Sequence, residues 1–138
     1  MESQALICDN NQRFTMETVQ LNRVEPKQIG IRTHYTGVSI GTEFALIRGK
    51  ISQGAYPLCT GYMGSGIVES VGKDVTQFKP GDKVMLFCRF NSYATHIIAD
   101  EKMLMILPSK FSMEEGAAFP LVYITAYMMI FDLGNFKS

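Results

Sequence analysis

The chain has 138 residues, 46% of them hydrophobic and 19% charged, which suits one folded domain with a buried core and excludes a disordered chain. Lys plus Arg and Asp plus Glu both number 13, and the basic residues are scattered, so no long-range field exists to draw in nucleic acid or an anionic membrane. Cys8, Cys59 and Cys88 are odd in number and form no CxxC pair, which argues against a disulfide framework and for a reducing compartment.

Residues 5–8 form a short apolar run, and Asp9-Asn10-Asn11 is a turn signal. Residues 14–21 alternate with period two, which predicts a strand with one buried and one wet face. Residues 28–36 alternate again, with Ile29, Ile31 and Thr33 on one side. Thr42 to Arg48 predicts one helical turn closed by Gly49. Residues 61–71 are glycine-spaced and then β-branched, and 82–88 are strongly apolar after the turn Phe78-Lys79-Pro80-Gly81. Residues 92–99 and 103–107 complete a set of short strands, the signature of a barrel or sandwich.

At Ser112 the pattern changes. Ser112 followed by Glu115 is a capping box, so a helix is expected to start there. Pro120 is expected to interrupt it, with residues 121–133 as a second helix stopped by Gly134. That second helix is apolar all round, so it belongs inside a larger body: a homodimer, an aggregate or a further domain would cover it. It is shorter than the roughly 20 residues a bilayer span needs. With no basic n-region at the polar N-terminus, the sequence predicts a cytoplasmic protein without a membrane span.

Gly61-Tyr62-Met63-Gly64-Ser65-Gly66-Ile67-Val68 leads through Val71-Gly72 and Val75 into Phe78-Lys79-Pro80-Gly81-Asp82-Lys83-Val84. Ser92-Tyr93-Ala94, Pro108, Glu114-Glu115-Gly116-Ala117-Ala118 and Pro120-Leu121-Val122-Tyr123-Ile124-Thr125-Ala126-Tyr127 follow in order. This ordered set resembles the N-terminal GroES-like (alcohol dehydrogenase-like) domain of the medium-chain dehydrogenase/reductase superfamily. Its later blocks are similar to the quinone-oxidoreductase, vesicle amine-transport-protein and enoyl-reductase branches. The resemblance implies a mainly β fold: a partly open GroES-like barrel with short helices and a C-terminal apolar helix. It further implies a substrate-side domain over residues 1–120, with 121–138 starting a linker toward an NAD(P)-binding Rossmann domain whose fingerprint would lie beyond Ser138. Gly61 to Gly66 is no substitute, because its order is G-x-x-G-x-G and no helix is expected after it to receive a phosphate. Those glycines read as permitting tight turns and close strand packing.

Zinc-dependent relatives hold a catalytic metal at positions that resemble Ser39, Tyr62 and Leu121 here. Leu121 cannot bind a metal, and neutral hydroxyls are poor zinc ligands beside thiolate, imidazole or carboxylate. His34 and His96 lack a second ligand at metal spacing, so no zinc is expected. The implied activity is reduction of an activated C=C bond or a quinone by NADPH in a longer parent, with this chain inactive alone. The alternative is a non-catalytic binding or assembly module that uses the 121–133 helix as its partner surface. A third reading, alcohol oxidation with an unusual metal, needs a stoichiometric metal.

Tyr62 is a candidate proton or hydrogen-bond donor, or else a wall filling the space zinc left. Tyr56, before Pro57, is a candidate proton donor or a turn residue. Ser39, Thr42, Glu43 and Tyr93 are candidates for the lining of a small-molecule substrate pocket. Thr42 could instead cap the following turn, and Tyr93 could belong to the barrel core. Thr125 lies where the family faces the nicotinamide, unless its hydroxyl bonds back to its own helix. Cys59 is a candidate reactive thiol.

Overall fold

A computed structural model describes residues 1–51, 56–88 and 91–136. The strands are β1 (Glu2–Cys8), β2 (Phe14–Gln20), β3 (Gln28–Thr36), β4 (Leu58–Cys59), β5 (Met63–Val71), β6 (Lys83–Phe87), β7 (His96–Asp100) and β8 (Leu104–Ile106). The helices are α1 (Ile40–Ile47) and α2 (Met113–Tyr127). One sheet runs β2-β1-β4 and the other β7-β3-β5-β6-β8, with every pairing antiparallel. They are stitched where the backbone around Ala94 meets β1: Leu6 N–H donates to the Tyr93 carbonyl at 2.8 Å and Thr95 N–H to Gln4 at 2.8 Å. The result is the expected partly open, mainly β fold.

The core sits on the inner face of the five-stranded sheet. Ile29 and Ile31 alternate inward from β3 and are fully buried with Val68, Val84 and Leu86, and Leu104 packs with them. Gly66 lets β5 lie close to β3, since a methyl group there would sit 2.4 Å from the Arg32 carbonyl oxygen. On the outer face, Arg32 pairs with Glu69 at 3.1 Å, and the two histidines flank that pair.

Two expectations are corrected. The alternation in β2 predicted a buried face, yet only Val19 is half-buried and Met16 is 65% exposed. β2 is the edge of the small sheet, and period two says which residues share a face, not that a layer covers it. The second correction concerns Pro120. The capping box at Ser112 is formed, with Ser112 Oγ accepting from Glu115 N–H at 3.2 Å and Glu115 Oε2 accepting from Ser112 N–H at 2.8 Å. The helix it starts does not break at Pro120 but passes through it and continues as a π-helical segment, Met128–Leu133. Proline forfeits one backbone bond, but here its ring is fully buried beside Gly116 and Ala117 on the face packed over β5 and β6. The continuous helix Met113–Leu133 has 21 residues and so has the length and composition to cross a bilayer, which a 13-residue stretch lacked. Its first half is packed on the barrel, while Val122, Tyr127, Ile130 and Leu133 are exposed, the last at 80%.

Candidate functional site

The chain leaves β3 through Gly37 and enters α1 at Ser39. Gly37 is a junction: its N–H donates to the Met63 carbonyl at 3.1 Å, and a methyl group on it would lie 2.8 Å from the Ala117 carbonyl oxygen. Gly37 therefore seats the connection that leads to Ser39 against Met63, next to Tyr62, and against Ala117 on α2. Ser39, not Thr42, caps α1. It does so without a side-chain bond; instead the Glu43 carboxylate reaches back and accepts the Ser39 N–H at 2.9 Å. Thr42 is exposed.

Glu43 is 5% exposed, unusual for a carboxylate, and it is paired. The Tyr93 hydroxyl donates to the same Oε1 atom at 2.7 Å and lies 3.5 Å from the Gly37 carbonyl oxygen. Burial, then the hydrogen bond and charge of Glu43, then Tyr62 push the Tyr93 phenol well above the usual range, so it stays a donor. The Tyr93 ring lies against Gly61, whose φ of +79° and close neighbours leave room only for hydrogen. Tyr62, next along, is also 5% exposed. Its carbonyl accepts from Cys88 N–H at 2.8 Å, and its ring meets Phe87 edge-on, centroids 6.2 Å apart.

The structure thus groups Ser39, Glu43, Tyr93 and Tyr62. Tyr56 is directed elsewhere: its hydroxyl donates to the Ile47 carbonyl and ties its segment to the end of α1. Thr125 is exposed on α2. Cys59 is not poised as a nucleophile, because burial pushes its thiol up to about 11 and Cys88 adds to that, against a lowering hydrogen bond from Tyr93. Two residues not singled out in the sequence complete the frame. Ser92 is fully buried and donates to the Met63 carbonyl at 3.2 Å, and Ser65 donates to the Met113 carbonyl, seating α2 on β5. Ser65 stands between Gly64 and Gly66, and Ser92 opens the Ser92-Tyr93-Ala94 block. A cavity of about 500 Å³ between β1, β7 and the β2–β3 connection is lined by Ile7, Cys59, Cys88 and His96, and by none of the grouped residues.

Zinc does not fit this donor set. Ser39, Tyr62 and Leu121 offer two neutral hydroxyls and a leucine, and no three His, Cys, Asp or Glu side chains cluster among the described residues. Gly61 to Gly66 does not form a phosphate-binding loop, since residues 63–66 lie in β5 rather than in a loop opening a helix.

Residues 25–128 match the alcohol dehydrogenase GroES-like domain family. The human synaptic vesicle membrane protein VAT-1 homolog-like protein is 37% identical over 82 residues, which is 59% of this chain and 20% of that protein. Its crystal structure superposes with a TM-score of 0.92 at 27% identity, over 100% of this chain and 46% of that one. Rat quinone oxidoreductase-like protein 2 is 28% identical over 128 residues, 91% of this chain and 36% of the relative. The Escherichia coli quinone oxidoreductase, solved with NADPH, shares the fold at a TM-score of 0.74 and 20% identity, over 93% of this chain and 40% of that one. The chain spans less than half the length of each. With its ordered motifs and its open barrel, the chain belongs to the alcohol dehydrogenase GroES-like domain family, the N-terminal domain of the medium-chain dehydrogenase/reductases.

Proposed function

We propose that this chain is the substrate-side domain of an NADPH-dependent, zinc-independent cytoplasmic reductase of quinones or of double bonds conjugated to a carbonyl. Residues 1–120 form that domain and residues 121–138 lead toward a nicotinamide-binding domain. The observation that supports the reading is the junction at Gly37, which seats the segment leading to Ser39 against Met63 and α2, while the positions that resemble the metal ligands of zinc-dependent relatives are a serine, a tyrosine and a leucine. Alcohol oxidation needs a means of holding an alkoxide, for which such relatives use a metal. Carbonyl-conjugated reduction needs only hydrogen-bond donors at the oxygen where charge develops. The nicotinamide supplies the hydride when bound. The chain's share is to seat the substrate, to exclude water, and to offer the hydroxyls of Tyr62 and Ser39 to that oxygen. The experiment that tests this joins the chain to a relative's cofactor domain and follows oxidation of NADPH by a quinone and by an enone.

The exposed stretch Val122 to Leu133 supports a second reading, an assembly module, because large exposed apolar patches mark interfaces. Light scattering separates the two. The chain alone is expected to aggregate without a fixed size, and Ile130→Glu to reduce that aggregation. A dimer that survives dilution would favour the assembly module instead.

A further inference from the structure

Resting on the reading of Ser39 and Tyr62 as substrate-pocket residues, we propose that Glu43 and Tyr93 do not line that pocket but form a positioning pair that fixes the segment carrying Ser39. One carboxylate oxygen, Glu43 Oε1, accepts from the Tyr93 hydroxyl at 2.7 Å and from the Ser39 backbone N–H at 2.9 Å. Both donors converge on an atom of a side chain that is 95% buried, so the bonds are shielded from competing water. The Tyr93 hydroxyl also lies 3.5 Å from the Gly37 carbonyl oxygen, so a single phenol reaches both the end of β3 and the first turn of α1.

The anchor of that phenol is rigid. Tyr93 N–H donates to the Thr60 carbonyl at 3.2 Å, and its ring atoms fill the space beside Gly61, immediately before Tyr62. The pair therefore links the loop carrying Ser39 to the backbone carrying Tyr62. On the outer side of the segment, Val38, Ile40 and Phe44 are exposed apolar residues, with the Arg48 guanidinium 5.2 Å over the Phe44 ring. Without the carboxylate, the Ser39 N–H and the Tyr93 hydroxyl lose their shared acceptor, and the segment is left with its Gly37-to-Met63 bond to the backbone next to Tyr62. Glutamine keeps an acceptor oxygen at the same reach, so Glu43→Gln retains the tie in a neutral, weaker form.

Site-resolved amide hydrogen exchange on the whole chain tests this without any catalysis. Glu43→Ala is expected to speed exchange at Ser39 by about tenfold or more while Val68 and Leu86 in the core hold their protection, since local opening is separable from global unfolding. Tyr93→Phe is expected to act in the same direction, and Glu43→Gln to restore most of the protection at Ser39. Unchanged exchange at Ser39 in Glu43→Ala would overturn the proposal. So would equal acceleration at Ser39, Val68 and Leu86, the mark of a merely structural residue. In the chain joined to a cofactor domain, Glu43→Ala is expected to raise KM by about fivefold or more with kcat held within about twofold, the signature of lost uniform binding. A fall in kcat at unchanged KM would overturn the proposal by placing Glu43 at the reacting atoms. If the joined chain shows no reductase activity, the exchange result still decides the pair, and only the pocket reading fails.

Discussion

Replacing Gly61 by alanine is expected to destabilise the chain by about 3 kcal/mol, the sum of a left-handed backbone cost of roughly 1–2 kcal/mol and an overpacking cost of roughly 1–3 kcal/mol. Gly61 has φ +79°, and a methyl group there would sit 2.4 Å from a Tyr93 ring carbon and 2.6 Å from Ser92 Oγ. Neither neighbour yields easily, because Ser92 is fully buried and bonded to Met63, and Tyr93 is held by Glu43. Gly49 is the control: its φ is +65° with nothing within 4 Å of an added methyl, so Gly49→Ala should lose only the backbone part, about 1 kcal/mol. Urea unfolding of both variants measures the difference. Equal losses would mean that the Tyr93 ring moves aside and is not the rigid anchor described above.

The second large effect concerns chemistry. In the chain joined to a cofactor domain, Tyr62→Phe is expected to lower kcat by about 100-fold with little change in KM, the cost of removing one donor to a developing oxyanion. Phenylalanine keeps the ring and its edge-on contact with Phe87, so packing survives and only the hydroxyl is lost. A kcat within about threefold of the parent would make Tyr62 a wall residue, leaving the oxygen to Ser39.

Much of this architecture is written locally. β3 has the bounds its alternation predicts, the capping box at Ser112 places the start of α2, and the turn before Asp82 precedes β6. These signals act over a few residues, where sequence and backbone are directly coupled. What escaped depends on distant partners. β4 has two residues and exists because Ile7 and Cys8 pair with it from about fifty residues away. Pro120 sits within a helix because tertiary burial outweighs the local cost of proline. The site divides in the same way. Motif positions pointed to Ser39, Tyr62 and Tyr93, but no spacing announces that Tyr93 and Glu43, 50 residues apart, share a hydrogen bond. Nor does any spacing show that the Tyr56 hydroxyl is spent on Ile47.

The most direct test of the central claim joins residues 1–136 to the nicotinamide-binding domain of a relative and assays it after exhaustive treatment with a chelator, with metal content measured alongside. NADPH is expected to be oxidised by a tetrasubstituted quinone or an enone at an undiminished rate, with no stoichiometric zinc. A folded, NADPH-binding chain that reduces neither acceptor, or one whose activity disappears with the chelator and returns with zinc, would contradict that claim.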